Sequence, residues 1–369
     1  MTELNRRSSN GARSHRRAIL WSLAAIVAGA MLLPLTGYVY TAVAQDSAQT
    51  PTAAIAQKGG ADLGDGQWQD SNPRARTWGE AREGVSGTTT AKGTETGVLI
   101  QNSGENWRQI RNGPVASLTP WLMLIAIVGV VLAWIFSGQH KLHEGRSGRV
   151  IMRWQLWERV LHWTVATLFI VMAITGLSLL FGRAVLIPVL GIEGFGVWAS
   201  IAKSLHNYVG PFFTLCIAVL ILAWVWFNFP SREDWAWFKA GGGFIKNRTV
   251  HAGRFNGGEK VWFWFVALVG GAVCVTGVIM DFPNFEQTRF TMQLSNVIHA
   301  VGGVAWISLF FGHAYIGTVG TEGALEGMTT GYVSAEWAKQ HHDRWYEKVK
   351  DREQPESGVK GTGGAPTAS

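Results

Sequence analysis

Charge is scarce in this sequence. Asp, Glu, Lys and Arg make up 15% of its 369 residues, against roughly 25% in soluble globular domains. So little charge argues against an ordinary water-soluble domain. Cysteine is scarcer still. Cys216 and Cys274 are the two copies, each inside an apolar stretch, and neither belongs to a C-x-x-C or C-x-x-C-H arrangement. That excludes a readable cysteine-ligated iron–sulfur cluster, structural zinc site or covalent haem attachment and leaves two small buried side chains. No internal repeat is evident. What the chain has in quantity is apolar residues, at 47%, and Trp, with 19 copies. Trp favours membrane–water interfaces, so the class is an integral membrane protein.

The first 17 residues are polar and carry five arginines, residues 18–36 are apolar, and Ala42-Val43-Ala44 follows. This is the layout of a secretory signal, with an uncleaved anchor helix as the alternative; residues 1–45 are expected to be one or the other. Residues 46–118 are polar and poor in apolar runs, which fits a small extracytoplasmic segment with short strands around 97–101. Five apolar runs come next, at 119–137, 158–181, 207–229, 261–280 and 296–318. Each approaches or exceeds the ~20 residues that a helix needs to cross ~30 Å of hydrocarbon, and continuous apolar runs in lipid mean helices. The expected fold is therefore all-α and transmembrane: a four-helix bundle over 150–350, one additional helix at 119–137 before it, and the signal or anchor segment. Residues 351–369, rich in Gly and Pro, are expected to be a disordered cytoplasmic tail.

Loop charge sets the orientation. Lys141, Arg146, Arg149 and Arg153 crowd the loop 138–157, and Arg232, Lys239, Lys246, Arg248, Arg254 and Lys260 the loop 230–260. Loops 182–206 and 281–295 hold only Arg183, Lys203 and Arg289. The basic loops and the tail from 320 are thus expected in the cytoplasm. The net charge of +7 is accounted for by topology, and no nucleic-acid partner is expected.

Four of the ten histidines fall in or at the edge of expected spanning helices: His162, His206, His299 and His313. Ionisable groups at that depth are expensive and usually functional. His299 and His313 lie 14 residues apart on one helix; that returns to within roughly 40° of the same direction and separates them by about 21 Å along the axis. One belongs to each membrane face. His162 enters its helix from the cytoplasmic side, and His206 begins the returning helix on the outer side. Depth then allows the cross-pairs His206 with His299 and His162 with His313. Two imidazoles without carboxylate or thiolate make a poor zinc site. They do suit the two axial positions that a planar macrocycle leaves, and a haem so ligated carries electrons. Gly176, Gly210, Gly302, Gly303 and Gly312 would let a bulky ring approach. Histidines that only pack helices, in a haem-free anchor that docks a catalytic partner, are the alternative.

Several stretches resemble the cytochrome b (gamma) subunits of respiratory, membrane-bound formate dehydrogenases. They are Glu158-Arg-Val-Leu-His162-Trp, Leu205-His206-Asn-Tyr-Val-Gly210-Pro, Phe255-Asn-Gly-Gly-Glu-Lys260, Thr276-Gly-Val-Ile-Met280, Ile298-His299-Ala-Val-Gly-Gly303 and His313-Ala-Tyr. The most specific lie in the tail: Gly327-Met328, Gly331-Tyr-Val-Ser and Trp337-Ala-Lys-Gln-His341-His342-Asp-Arg-Trp345-Tyr. Gly97-Val-Leu-Ile-Gln101, Trp107-Arg108 and Arg111-Asn-Gly-Pro114 resemble a longer form of the family.

The resemblance implies an electron-transfer subunit of the bacterial inner membrane with two b haems. It implies an iron–sulfur beta subunit as electron donor, a molybdenum- or tungsten-containing alpha subunit that oxidises formate, and quinone as acceptor. Formate oxidation would not occur on this chain itself. The outer haem (His206 and His299) would receive electrons and the cytoplasmic one (His162 and His313) would reduce quinone, in a pocket formed by Asn256, Gly258 and Glu259 beside His313. Glu259 departs from the glutamine of the family pattern. Glu158, Asp234 and His251 are proton-path candidates or ordinary loop residues, and His341 and His342 are expected in recognition or packing. A cytochrome b of a hydrogenase or another molybdenum reductase shares the architecture; the tail motif favours formate.

Overall fold

The computed structural model describes residues 102–242 and 251–359. The expected signal or anchor at 1–45, most of the segment 46–118, and the strands around 97–101 lie outside the described residues. Among the described residues, five helices are long and apolar enough to cross a membrane: Gly104–Ser137, Leu156–Val185, Ile187–Phe227, Gly257–Asp281 and Arg289–Gly317.

The first combines α1 (Asn102–Ile110) and α2 (Ala116–Ser137), joined by a widened turn at Arg111–Val115 that contains Pro114. Proline removes an N–H and clashes with the preceding turn, and a π-bulge absorbs both without ending the helix. The helix thus begins 17 residues before the apolar run at 119 that announces it. β1 (Arg149–Met152) precedes α3 (Leu156–Val185). α4 (Ile187–Trp224) follows almost at once, with a break at Gly191, where φ is +72°. Only glycine takes that backbone angle without strain. Residues 187–206, expected as loop, are therefore mostly helix, and His206 is interior to α4 rather than at its start. Polar residues such as Lys203 and Ser204 end the hydropathy signal while the helix continues.

The loop 230–260 contains α5 (Arg232–Lys239). The fourth span is α6 (Gly257–Phe265), a π turn at Val266–Gly270 and α7 (Gly271–Asp281). The fifth is α8 (Arg289–Gly317). After it come α9 (Ala324–Thr330), β2 (Tyr332–Ser334), α10 (Ala335–His341), α11 (Asp343–Val349) and β3 (Gln354–Pro355). The strands form an antiparallel sheet in the order β2-β1-β3, with Ile151 opposite Val333 and Val150 opposite Gln354. The sheet is unexpected from sequence, and it corrects the disordered tail. Residues 351–359 are ordered because β3 pairs with β1 and the Arg149 Nε donates to a Glu353 carboxylate oxygen at 2.5 Å; residues 360–369 lie outside the described residues.

Of the described residues, those of Met1–Leu122 and Ile279–Val301 form one compact unit and those of Met123–Val278 and Gly302–Ser369 another. In the first, Val115, Val297 and Val301 are buried together, and the Trp107 Nε1 donates to Asn296 Oδ1 at 3.2 Å. In the second, α3 and α4 pack along their lengths over a core of Phe169, Phe213, Ile217, Val266, Val273, Cys274 and Trp306. Ile151, Val333, Ala335, Trp337 and Ala338 form a separate core under the sheet. The spans keep large apolar side chains exposed, Ile135, Ile174 and Leu222 among them, as lipid-facing helices do.

Candidate functional site

The site grows from three capping boxes at helix starts in the second unit. Glu158 bonds back to the Gln155 N–H at 2.9 Å and starts α3. Asp234 does the same for Ser231 and starts α5, while accepting from Lys260 Nζ at 2.8 Å. Asn256 and Glu259 start α6: Asn256 Oδ1 accepts the Glu259 N–H at 3.0 Å and Glu259 Oε2 accepts the Asn256 N–H at 2.8 Å. Each carboxylate satisfies an orphan donor of the first turn.

α3 then carries His162, and α8 carries His313 to meet it. Their ring centres stand 6.3 Å apart. Trp262, one turn beyond Glu259 on α6, stacks on His313 with ring centres 4.6 Å apart and planes at 9°. Trp163 meets His162 edge-on at 5.3 Å. The Nδ1 of His162 is buried with no hydrogen-bond partner, a cost unless something outside the chain meets it.

Further along α3, Thr175 Oγ1 lies 2.8 Å from His206 Nδ1. A Cβ on Gly176 would stand 3.1 Å from His206 Cε1, so the missing side chain is what lets the ring lie against α3. Gly303 and Gly312 have nothing within 4 Å of where a Cβ would stand. Gly210 and Gly302 instead face Met172 and Val273, which is ordinary helix packing.

Between the histidine levels lies an aromatic layer. Phe169 is seven residues from His162, Phe213 seven from His206, and Trp306 seven from both His299 and His313. Seven residues are two turns, about 10.5 Å. Phe169 meets Trp306 at 5.2 Å and Phe310 at 4.9 Å, and Phe213 meets Trp306 at 5.6 Å. Tilted pairs of this kind contribute about 0.5–1.5 kcal/mol each beyond area burial.

A haem fits His162 and His313. Two imidazoles that ligate one metal through nitrogens at ~2.0 Å have ring centres about 6 Å apart, close to the 6.3 Å found. Among the described residues no group of three or more His, Cys, Asp or Glu is placed to hold a bare ion.

The expected quinone residues divide. Asn256 and Glu259 are joined in the capping box, and a Cβ on Gly258 would meet the Trp237 ring at 2.9 Å. The link from Glu259 to His313 runs through Trp262. Glu259 has a partner that sequence reading missed: Arg153 Nη2 donates to its Oε1 at 3.1 Å. The same Nη2 lies 3.1 Å from the Arg254 carbonyl and from His342 Nε2. The Arg153 guanidinium lies over Trp337, Trp154 and Trp345 at 4.9, 5.3 and 5.3 Å. Arg153 was legible only as loop charge, and Trp262 gave no signal of its own among the many tryptophans.

Of the proton-path candidates, Glu158 is buried and accepts from Trp224 Nε1 at 3.1 Å and Arg254 Nη2 at 2.6 Å. His251 Nδ1 meets Asp343 Oδ2 at 2.5 Å. His342 is buried in packing. Burial, then the Arg153 charge, hold it well below the ordinary histidine range. Its Nδ1–H donates to the Gly253 carbonyl at 2.8 Å, and its Nε2 accepts from Arg153. His341 is pushed down to about 4 by burial, then by His140.

The family profile of prokaryotic cytochrome b561 matches residues 153–331. The chain is 30% identical over 222 residues to the nitrate-inducible formate dehydrogenase cytochrome b556 subunit of Escherichia coli K12, covering 58% of this chain and 99% of the relative. A second formate dehydrogenase cytochrome b556 subunit of that strain is 30% identical over 208 residues, covering 54% and 93%. One from Haemophilus influenzae is 28% identical over 204 residues, covering 53% and 82%. The matched region contains all the helices that bear the four histidines.

Proposed function

The chain belongs to the cytochrome b subunits of formate dehydrogenase, and on that premise we propose that His162 with His313, and His206 with His299, hold two b haems within it. It is a multi-pass bacterial membrane protein that binds haem b and serves formate dehydrogenase electron transfer. Haem b with both axial positions filled supplies one-electron transfer without an open site for oxygen.

The His162–His313 distance of 6.3 Å is the observation that carries the reading. Trp262 supports it by stacking flat on His313, which fixes the ring plane. The outer pairing rests on the spacing of His299 and His313 along one helix. The outer pair marks the side on which an iron–sulfur beta subunit delivers electrons taken from formate by a molybdenum or tungsten alpha subunit. The inner pair marks the side on which quinone is reduced.

Quinone binding belongs to Asn256, Gly258 and Glu259 beside His313. Reduction to quinol consumes two electrons and two protons. Glu259 stands where the family pattern has an amide. Its two oxygens accept from Arg153 and from the Asn256 N–H, so it orders the start of α6. Residues 1–45 serve export or anchoring, 46–118 an extracytoplasmic segment, and the basic loops face the cytoplasm.

The test is the purified intact complex with formate and a water-soluble quinone analogue. Formate should reduce a b-type absorption band, and the quinone analogue should reoxidise it. Reduction by hydrogen and not by formate would overturn the assignment.

A further inference from the structure

We propose that Thr175 is a positioning residue for His206: its hydroxyl accepts the imidazole Nδ1–H and so presents Nε2 as the metal-binding nitrogen. The proposal rests on the reading of His206 as an axial haem ligand.

A hydroxyl has one proton and two lone pairs. Thr175 Oγ1 lies 2.7 Å from the Val171 carbonyl and 3.2 Å from that of Met172. Carbonyls only accept, so the single proton is spent on them. The remaining contact, 2.8 Å to His206 Nδ1, must then have the ring as donor. A neutral imidazole with its proton on Nδ1 carries its lone pair on Nε2. Side-chain bonds to the carbonyl four residues back are commonplace here: Ser178 bonds to Ile174, Thr119 to Val115 and Ser308 to Val304. What sets Thr175 apart is its second contact, made by a side chain that is 2% exposed. Gly176 completes the cradle, since any Cβ there would press on the same imidazole. Partners of this kind fix the orientation of a ligating histidine and raise its basicity.

A stronger imidazole donor favours ferric over ferrous iron, so loss of the acceptor should raise the reduction potential of that haem. Thr175→Val keeps the shape and removes the hydroxyl; Thr175→Ser keeps the hydroxyl and removes the methyl. In the purified complex, a redox titration followed at the b-type absorption band should show one midpoint shifted upward in T175V and the other unchanged. The low-spin ferric resonance of the same haem should also move, and T175S should match the parent in both. Loss of one haem in T175V with retention in T175S supports the same conclusion. Unchanged midpoints in T175V, or T175S altered as much as T175V, would overturn the proposal. H206A with both haems retained would instead overturn the ligand assignment beneath it.

Discussion

Arg153 keeps a full charge in a side chain that is 2% exposed. Three tryptophan faces, one carboxylate, one backbone carbonyl and one neutral histidine surround it. A guanidinium tolerates this because it is planar, weakly hydrated and attracted to aromatic faces. Removing one partner of a fully buried pair costs about 3–5 kcal/mol. The Glu259 side chain is 36% exposed, so water compensates part of the loss, and Arg153→Met is expected to cost on the order of 2 kcal/mol. Thermal unfolding of the detergent-solubilised complex measures this. Adding Glu259→Gln should recover part of the loss, because no uncompensated carboxylate then remains; a double variant less stable than R153M would contradict the pairing.

At the scale of elements, the helices were legible because lipid demands long apolar runs, and every expected run overlaps an observed helix, with 207–229 and 296–318 running past its end by two residues and one. Their ends were not. α4 continues through Lys203 and Ser204 because backbone hydrogen bonds and packing on α3 sustain a helix after its hydropathy signal ends. The π turns were not foreseen. The sheet escaped notice because its strands are two to four residues long and widely separated in sequence. Gly331, quoted in the family cadence, finds its reason here. Its φ is +93°, and its carbonyl accepts from the Arg153 and Trp154 N–H groups at 2.9 and 3.1 Å.

The segment α10–α11 also carries a pH dependence. His341 and His342 are held neutral by burial, so the unfolded segment binds protons more readily than the folded one. Stability therefore rises with pH across that window. It is complete above the unfolded histidine value of about 6.5 and is lost as the pH falls from there toward about 4, the value of folded His341. Hydrogen exchange at the backbone amides of α10 and α11, corrected for its intrinsic pH dependence, should show lower protection at pH 5 than at pH 7.5. Equal protection would contradict the buried neutral state.

For the whole molecule, loop charge and histidine spacing carried the reading furthest. The four histidines were legible in the sequence because they fall within or at the edge of apolar stretches. Thr175, Trp262 and the aromatic layer were not, since hydroxyls and aromatics are ordinary in membrane helices until a partner is seen beside them. The structural role of Glu259 was not legible: the resemblance set it beside Asn256 in a pocket, and neither their capping box nor the bond to Arg153, 106 residues away, was foreseen.

The claim that His162 and His313 share one haem is tested most directly by haem stoichiometry in His162→Ala, His313→Ala and the double variant, measured as pyridine haemochrome per complex. Each single variant should lose one of two b haems, and the double variant should lose no more than either single. Retention of both haems in a single variant, or a greater loss in the double than in the singles, would contradict it.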